Sequence, residues 1–341
     1  MTTGGAGGEG YRAMDAHSAV QALFPPVMPR APLRGPHITK EGTVMTGKPP
    51  LITLNNGVKM PALGLGVLQC PPEQTANVVE VAITNGYRLI DTAAAYGNER
   101  QVGEGIVRSG IDRSEMFVTT KLWISDYGYE RALSAFGSSL RKLGLDYVDL
   151  YLLHWPVPSD FEATVASYRA AEKVLADERA RAIGVSNFSA KHLENLAGHT
   201  KVVPAVNQVE LHPFFNQQEL RDTHQRLGIV TQSWSPIGGT IRRAAGPGAV
   251  KDPLEHSTVI KLAAKYRKTA AQVVLRWHID RGLSPIPKSA RPERIAENID
   301  IFDFVLAEDD RAAIDAMDTG VRSGPDPEIF DAAMAPVKVE D

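Results

Sequence analysis

Residues 87–154 read YRLIDTAAAYGNERQVGEGIVRSGIDRSEMFVTTKLWISDYGYERALSAFGSSLRKLGLDYVDLYLLH. Three short apolar runs, YRLID (87–91), MFVTTK (116–121) and VDLYLLH (148–154), alternate with two longer segments, NERQVGEGIVRS and YERALSAFGSSLRKLG. Apolar residues in the longer segments recur at i, i+3 or i+4, which is the period of an amphipathic helix, while the short continuous runs suit strands buried on both faces. The alternation predicts parallel strands joined by crossover helices.

The same alternation extends in both directions. ALGLG (62–66) precedes the stretch, and AIGVS (182–186), AVNQ (205–208), IVTQSW (229–234) and LSPIP (283–287) follow it, giving eight candidate strands. Helix-like segments between them include QTANVVEVAITN, ATVASYRAAEKVLADE, SAKHLENLAG, NQQELRDTHQRLG and STVIKLAAKYRK. Eight βα units in a row predict a closed (β/α)8 TIM barrel. The rival fold is an open doubly wound sheet, but no G-x-G-x-x-G fingerprint follows the first strand. Ahead of the barrel, LITL and VKM flank Asn55-Asn56-Gly57, which reads as a β-hairpin capping the barrel floor.

Residues 49–341 are thus expected to form one barrel domain with a short C-terminal tail. Residues 1–48, rich in Gly and Pro and poor in periodicity, are expected to be a disordered extension; a competing reading starts the natural chain at Met45. Hydrophobic residues make up 43% and charged residues 23% of the 341, near the average for globular proteins. A net charge of -3 gives no general basic field for nucleic acid or an anionic membrane. The single cysteine, Cys70, rules out an intramolecular disulfide and a Cys-rich metal site and fits a reducing cytoplasm. No stretch approaches the roughly 18 uninterrupted apolar residues of a membrane span, and residues 1–30 carry no signal-peptide pattern. A cytoplasmic monomer is the expectation, in the absence of a large exposed apolar stripe.

Active sites of such barrels lie at the C-terminal ends of the strands. Asp91 ends the second strand and Tyr96 follows it, Lys121 ends the third, and His154 ends the fourth with Trp155 next. Each has an ordinary explanation alone: helix cap, loop aromatic, surface lysine, satisfied core histidine. Stability does not call for all of them on one barrel face. Chemically, a lysine ammonium beside a tyrosine favours the phenolate and lowers its ordinary pKa of roughly 10. Asp91 would hold Lys121 charged, and His154 could hydrogen-bond a substrate oxygen. That set donates a proton but no hydride, so electrons must come from a bound cofactor.

The segments MPALGLGV, RLIDTAAAYGNE, TTKLW, DLYLLHWP, AIGVSNF, NQVELHP and IPKSARPERIAENIDIFDF, in this order over about residues 50–320, resemble the aldo-keto reductases, most closely the bacterial 2,5-diketogluconate reductase-like branch. The resemblance implies reduction of small dicarbonyls or keto-sugars by NADPH, with Tyr96 as general acid, Lys121 and Asp91 as its tuning pair, and His154 orienting the carbonyl. It also implies that Ser186, Asn187 and Gln208 bind the nicotinamide carboxamide and that Trp234 stacks on the ring. Ser235, Pro236 and Ile237 would line the pyrophosphate path. Lys288, Ser289, Arg294, Glu297 and Asn298 would surround the adenosine 2′-phosphate, which NADH lacks. Trp123 and Trp155 would wall the substrate pocket, and Leu68 stands where several family members carry a larger aromatic, which implies a wider pocket. The loop from Gly238 to Pro253 is expected to act as a lid, and Glu178 stands where many relatives have glycine.

Two other readings remain: a barrel that binds NADPH as a redox sensor or structural partner with little turnover, and an unrelated barrel hydrolase or isomerase using Asp91 and His154. The second leaves GVSNF, NQVELHP and KSARPER without a role.

Overall fold

The computed structural model of the protein describes residues 49–239 and 252–331, with 333, 334, 337 and 339. The expected extension (1–48) and most of the expected lid (238–253) lie outside the described residues.

A hairpin of β1 (Leu51–Thr53) and β2 (Lys59–Pro61) opens the fold. Asn55 donates from Nδ2 to the carbonyl of Pro204 at 3.1 Å, and Asn56 to that of Arg181 at 2.9 Å. These side chains fasten the hairpin to the N-terminal ends of two barrel strands, so the hairpin caps the floor. Leu54 and Met60 are buried in one cluster with Leu89, Phe117, Leu150, Leu152, Ala182, Val206 and Ile286, the apolar plug inside the barrel.

Eight parallel strands follow: β3 (Leu65–Gly66), β4 (Leu89–Asp91), β5 (Phe117–Leu122), β6 (Val148–Leu153), β7 (Ala180–Ser186), β8 (Val206–Glu210), β9 (Val230–Trp234) and β10 (Ser284–Pro285). They pair in chain order. The amides of Gly64 and Gly66 donate to the carbonyls of Pro285 and Pro287, both at 3.1 Å, and join the first strand to the last. A Cβ on Gly64 would lie 3.1 Å from Ile286 Cγ2 and one on Gly66 3.1 Å from the Ile286 carbonyl oxygen, so close approach at this seam favours glycine. Every predicted strand is present. The first and last are shorter than their apolar runs because few of their residues meet ladder geometry at the seam.

The helices are α1 (Pro72–Thr84), α2 (Glu99–Ser109), α3 (Tyr129–Leu143), α4 (Phe161–Ala176), α5 (Ala190–Ala197), α6 (Gln218–Leu227), α7 (Ser257–Tyr266), α8 (Ala270–Asp280), α9 (Pro292–Ile299) and α10 (Glu308–Asp315). No helix among the described residues is long and apolar enough to cross a membrane. Helix α8 has no counterpart among the periodic segments: residues Gln272–Ile279 are buried, so it shows no polar stripe to read. Its start is nevertheless marked, by a capping box between Thr269 and Gln272.

Strand period places the site. Along β6, Leu150 and Leu152 join the plug inside the barrel, while Tyr151 and Leu153 pack outward beneath the helices. The next inward position after Leu152 is His154. By the same alternation Phe117 puts Lys121 on the inner face of β5, and Leu89 puts Asp91 on that of β4.

Candidate active site

Lys121 is fully buried, and Asp91 nearly so. Lys121 Nζ donates to Asp91 Oδ1 at 2.6 Å, to the Thr92 carbonyl at 2.9 Å and to Tyr96 Oη at 3.3 Å. Burial pulls the ammonium down, but the charge of Asp91 and the neighbouring Tyr96 more than reverse this and hold Lys121 protonated above its usual range. Thr92 also donates to Asn98 Oδ1, and Asn98 Nδ2 donates to the Val67 carbonyl. These bonds fix the single 3-10 turn, Ala94–Tyr96, that presents the tyrosine.

Burial raises the Tyr96 hydroxyl above its ordinary value, and the opposing pull of Lys121 does not overcome this. Lys121 therefore acts in the expected direction, but the sum is a phenol that keeps its proton at neutral pH. His154 lies edge-on to Tyr96, ring centroids 5.7 Å apart, and edge-on to Trp123 at 5.0 Å. Burial, reinforced by the Lys121 charge, holds its imidazole well below the usual histidine range and thus neutral. Its buried Nδ1 has no hydrogen-bond partner among the described residues. The sequence-predicted tetrad is brought together.

Trp123 and Trp155 are both buried, and a residue unmarked by any sequence signal joins them in one wall. Phe330 stacks on Trp155 at 3.9 Å and meets Trp123 edge-on at 6.3 Å. The Tyr127 hydroxyl donates to the Trp155 carbonyl at 2.6 Å and steadies this turn. Leu68, just past β3, is 40% exposed.

Just past β7, the neighbour of β6, Asn187 takes a left-handed conformation, φ 66°. Its Nδ2 donates to the His154 carbonyl and to Ser186 Oγ, and its Oδ1 accepts from Trp234 Nε1 at 2.9 Å. Ser186 Oγ donates to the Gln208 carbonyl. The Gln208 amide donates to Asp91 Oδ2 and to Gln232 Oε1, both at 2.7 Å, so this side chain also braces the tetrad, a link the sequence reading lacks. Ser235 turns the chain at φ 50°, and His278 Nε2 donates to the Pro236 carbonyl at 3.0 Å; Ile237, half-buried, follows.

Lys288 and Arg294 are exposed around the start of α9, and neither has an ion pair among the described residues. Ser289 Oγ accepts from the Arg291 amide, Asn298 is buried, and Glu297 accepts from Thr269 Oγ1 at 2.7 Å. Exposed cations around a helix N-terminus that follows β10, together with a half-buried indole held by Asn187, fit a phosphate-bearing nicotinamide cofactor.

The aldo/keto reductase family model matches residues 60–319. The chain belongs to the aldo/keto reductase family. The reductase is 58% identical over 291 residues to morphine 6-dehydrogenase of Pseudomonas putida, covering 85% of this chain and 98% of that protein. It is 46% identical over 279 residues to glyoxal reductase of Bacillus subtilis, covering 81% and 96% respectively. Its fold matches the Bombyx mori aldo-keto reductase solved in complex with NADP at a TM-score of 0.76 and 38% identity, over 82% of this chain and 95% of that one. The reductase is an NADP(H)-dependent oxidoreductase with NADPH as its cofactor.

Glu178 stands where many relatives have glycine, and its backbone is one that favours glycine. It takes φ 59° before β7, on the barrel floor and far from this site. A left-handed non-glycine residue costs on the order of 1 kcal/mol.

Proposed function

We propose that the enzyme reduces aldehydes and ketones to alcohols, with small dicarbonyls or keto-sugars as substrates and Tyr96 as proton donor. The observation that carries the reading is the buried Asp91–Lys121–Tyr96 chain beside a neutral His154. NADPH, when bound, supplies the hydride. Neutral His154 can donate a hydrogen bond to the carbonyl oxygen and fix its direction. As negative charge builds on that oxygen, Tyr96 Oη gives up its proton, and Lys121 at 3.3 Å stabilises the phenolate left behind. Asp91 keeps Lys121 charged and aimed.

Ser186, Asn187 and Gln208 would hold the carboxamide and Trp234 would stack on the ring. Ser235, Pro236 and Ile237 would follow the pyrophosphate, and Lys288, Ser289 and Arg294, with Glu297 and Asn298, would hold the 2′-phosphate. The α9 N-terminus supports the last assignment. The proposal includes a cytoplasmic monomer, supported by the lone thiol of Cys70; sizing by light scattering tests the monomer.

The test is loss of NADPH absorbance with methylglyoxal, glyceraldehyde, 2,5-diketogluconate and phenylglyoxal, for wild type and Tyr96→Phe, with NADH in parallel. Turnover that falls at least ~100-fold in Tyr96→Phe supports the proposal. NADPH binding without turnover of any carbonyl returns the chain to the sensing role.

A second reading is favoured by the aromatic wall. Trp123, Trp155 and Phe330 offer flat apolar faces rather than hydrogen-bond donors. That wall suits a bulky cyclic ketone or alcohol, the kind of substrate the name of the Pseudomonas putida relative indicates. Leu68→Trp, which narrows the mouth, separates the two: it lowers turnover of polycyclic ketones and spares methylglyoxal if the second reading holds.

A further inference from the structure

Glu210 has no part in the proton chemistry, yet it is fully buried at the top of β8. It pairs in register with Trp234 of β9. Among the described residues, every partner its carboxylate has, apart from His212, comes from one segment more than a hundred residues later. The amide of Ser323 donates to Oε1 at 2.9 Å, the Ser323 hydroxyl donates to the same oxygen, and the amide of Gly324 donates to Oε2 at 2.9 Å. Arg322 Nη1 lies 3.7 Å from Oε2, and His212 Nε2 lies 3.1 Å from Oε1. Burial alone would raise this carboxyl, but the hydrogen bonds from His212, Ser323 and Gly324 outweigh it and keep the group ionised.

The clasped segment touches both halves of the site. A Cβ on Gly324 would stand 2.5 Å from Trp234 Cη2 and 2.9 Å from Glu210 Oε2, so Gly324 lies flush against the indole edge. Six residues on, Phe330 stacks on Trp155, and farther on the Val337 carbonyl accepts from Trp123 Nε1 at 3.1 Å. Between Gly324 and Phe330, Glu328 lies 3.6 Å from His192 Nε2 on α5. One strap therefore runs from the indole beside Asn187 to the aromatic wall beside His154, and its firmest attachment is a charge-assisted clasp on a buried carboxylate.

We propose that Glu210 is a positioning residue for carbonyl reduction: it fastens residues 322–324 against Trp234 and thereby sets the distance between the cofactor ring and the Phe330 wall. The proposal rests on the carbonyl-reductase reading above. Glu210 touches neither substrate nor cofactor and acts through the strap.

Glu210→Gln replaces one acceptor oxygen by an NH2 group that faces N–H donors, and so opposes the clasp with little change of shape. The expected result is a KM for the carbonyl raised tenfold or more with kcat changed less than threefold, and faster hydrogen exchange at the amides of Ser323 and Gly324 while those of β8 stay protected. Ser323→Ala, on the strap and outside the barrel core, shifts KM in the same direction by a smaller factor. Gly324→Ala pushes on the indole and weakens NADPH binding, read by tryptophan quenching, at least fivefold. Unchanged KM with unchanged exchange at residues 323 and 324 in Glu210→Gln overturns the clasp; if that variant does not fold, an unchanged KM in Ser323→Ala does so. Wild-type NADPH affinity in Gly324→Ala overturns the coupling to Trp234. If the wild type reduces no carbonyl, the functional reading fails on its own, and the exchange and quenching measurements still decide whether Glu210 joins strap to indole.

Discussion

Lowering the pH from 7.5 to 5.0 should destabilise the protein by about 4 kcal/mol through two histidines that lie outside the catalytic chain. His224 on α6 receives the Asn207 amide on Nε2 at 2.9 Å. The same amide donates to the Phe188 carbonyl and its oxygen accepts from the Phe188 amide, so Asn207 must donate to the ring and His224 Nε2 must stay unprotonated. His278 on α8 spends its Nε2 proton on the Pro236 carbonyl, and its Nδ1 is buried without a partner among the described residues. Burial pushes both rings down to about 3. In the unfolded chain each titrates near 6.5, so between 6.5 and 3 the unfolded state binds more protons and stability falls as pH falls. At about 1.36 kcal/mol per pH unit, the 1.5 units below 6.5 cost about 2 kcal/mol for each ring. His154, also held low, acts in the same direction. Staying at or above pH 5 keeps ordinary unfolded carboxylates largely ionised, so the histidines dominate the proton uptake of the unfolded chain. Urea unfolding at the two pH values, with histidine ring signals followed by NMR, measures it. A loss below about 1 kcal/mol, or folded-state rings that titrate near 6.5, would refute the burial argument.

Lys121→Met leaves the Asp91 carboxylate buried without its counter-charge, so a loss of about 3–5 kcal/mol is expected along with loss of turnover, measured by chemical denaturation and NADPH oxidation. Removing the Lys288 and Arg294 cations together should raise the KM for NADPH at least ~10-fold and leave that for NADH unchanged, because each charge-assisted contact contributes about 1.5–3 kcal/mol; equal effects on the two cofactors would remove these residues from the 2′-phosphate. Glu178→Gly relieves a left-handed φ and should stabilise the fold by about 1 kcal/mol in urea melts with kcat unchanged.

The tetrad was legible because a parallel strand buried on both faces reads as an apolar run, and an ionisable residue ending such a run stands out. Asp91, Lys121 and His154 each end one. The eight strands were legible for the same reason, and the floor hairpin through its Asn-Asn-Gly turn. Helix α8 was not, since residues buried on every side leave no 3.6-residue alternation. Phe330 and the clasp of Glu210 were not either, because their partners lie more than a hundred positions away in a segment without periodicity. Gln208 was placed on its motif, but its bond to Asp91 joins two strands that are not neighbours and crosses the barrel interior, which only a closed barrel brings about.

The seam between the first and last strands has a mechanical consequence. In a parallel ladder a residue's N–H and C=O point to the same neighbour, and the residues of the last strand that face β3 are Pro285 and Pro287. Neither can donate, so the seam retains the bonds given by Gly64 and Gly66 and lacks the return set, whereas Ile286 between them bonds normally to Ser233. One line along the barrel wall therefore keeps its ladder bonds in one direction only. Lys288 and Ser289 come directly after that line. A joint bonded in one direction only thus adjoins the arm proposed to grip the cofactor phosphate, while the proton chemistry is held on other strands, β4, β5 and β6.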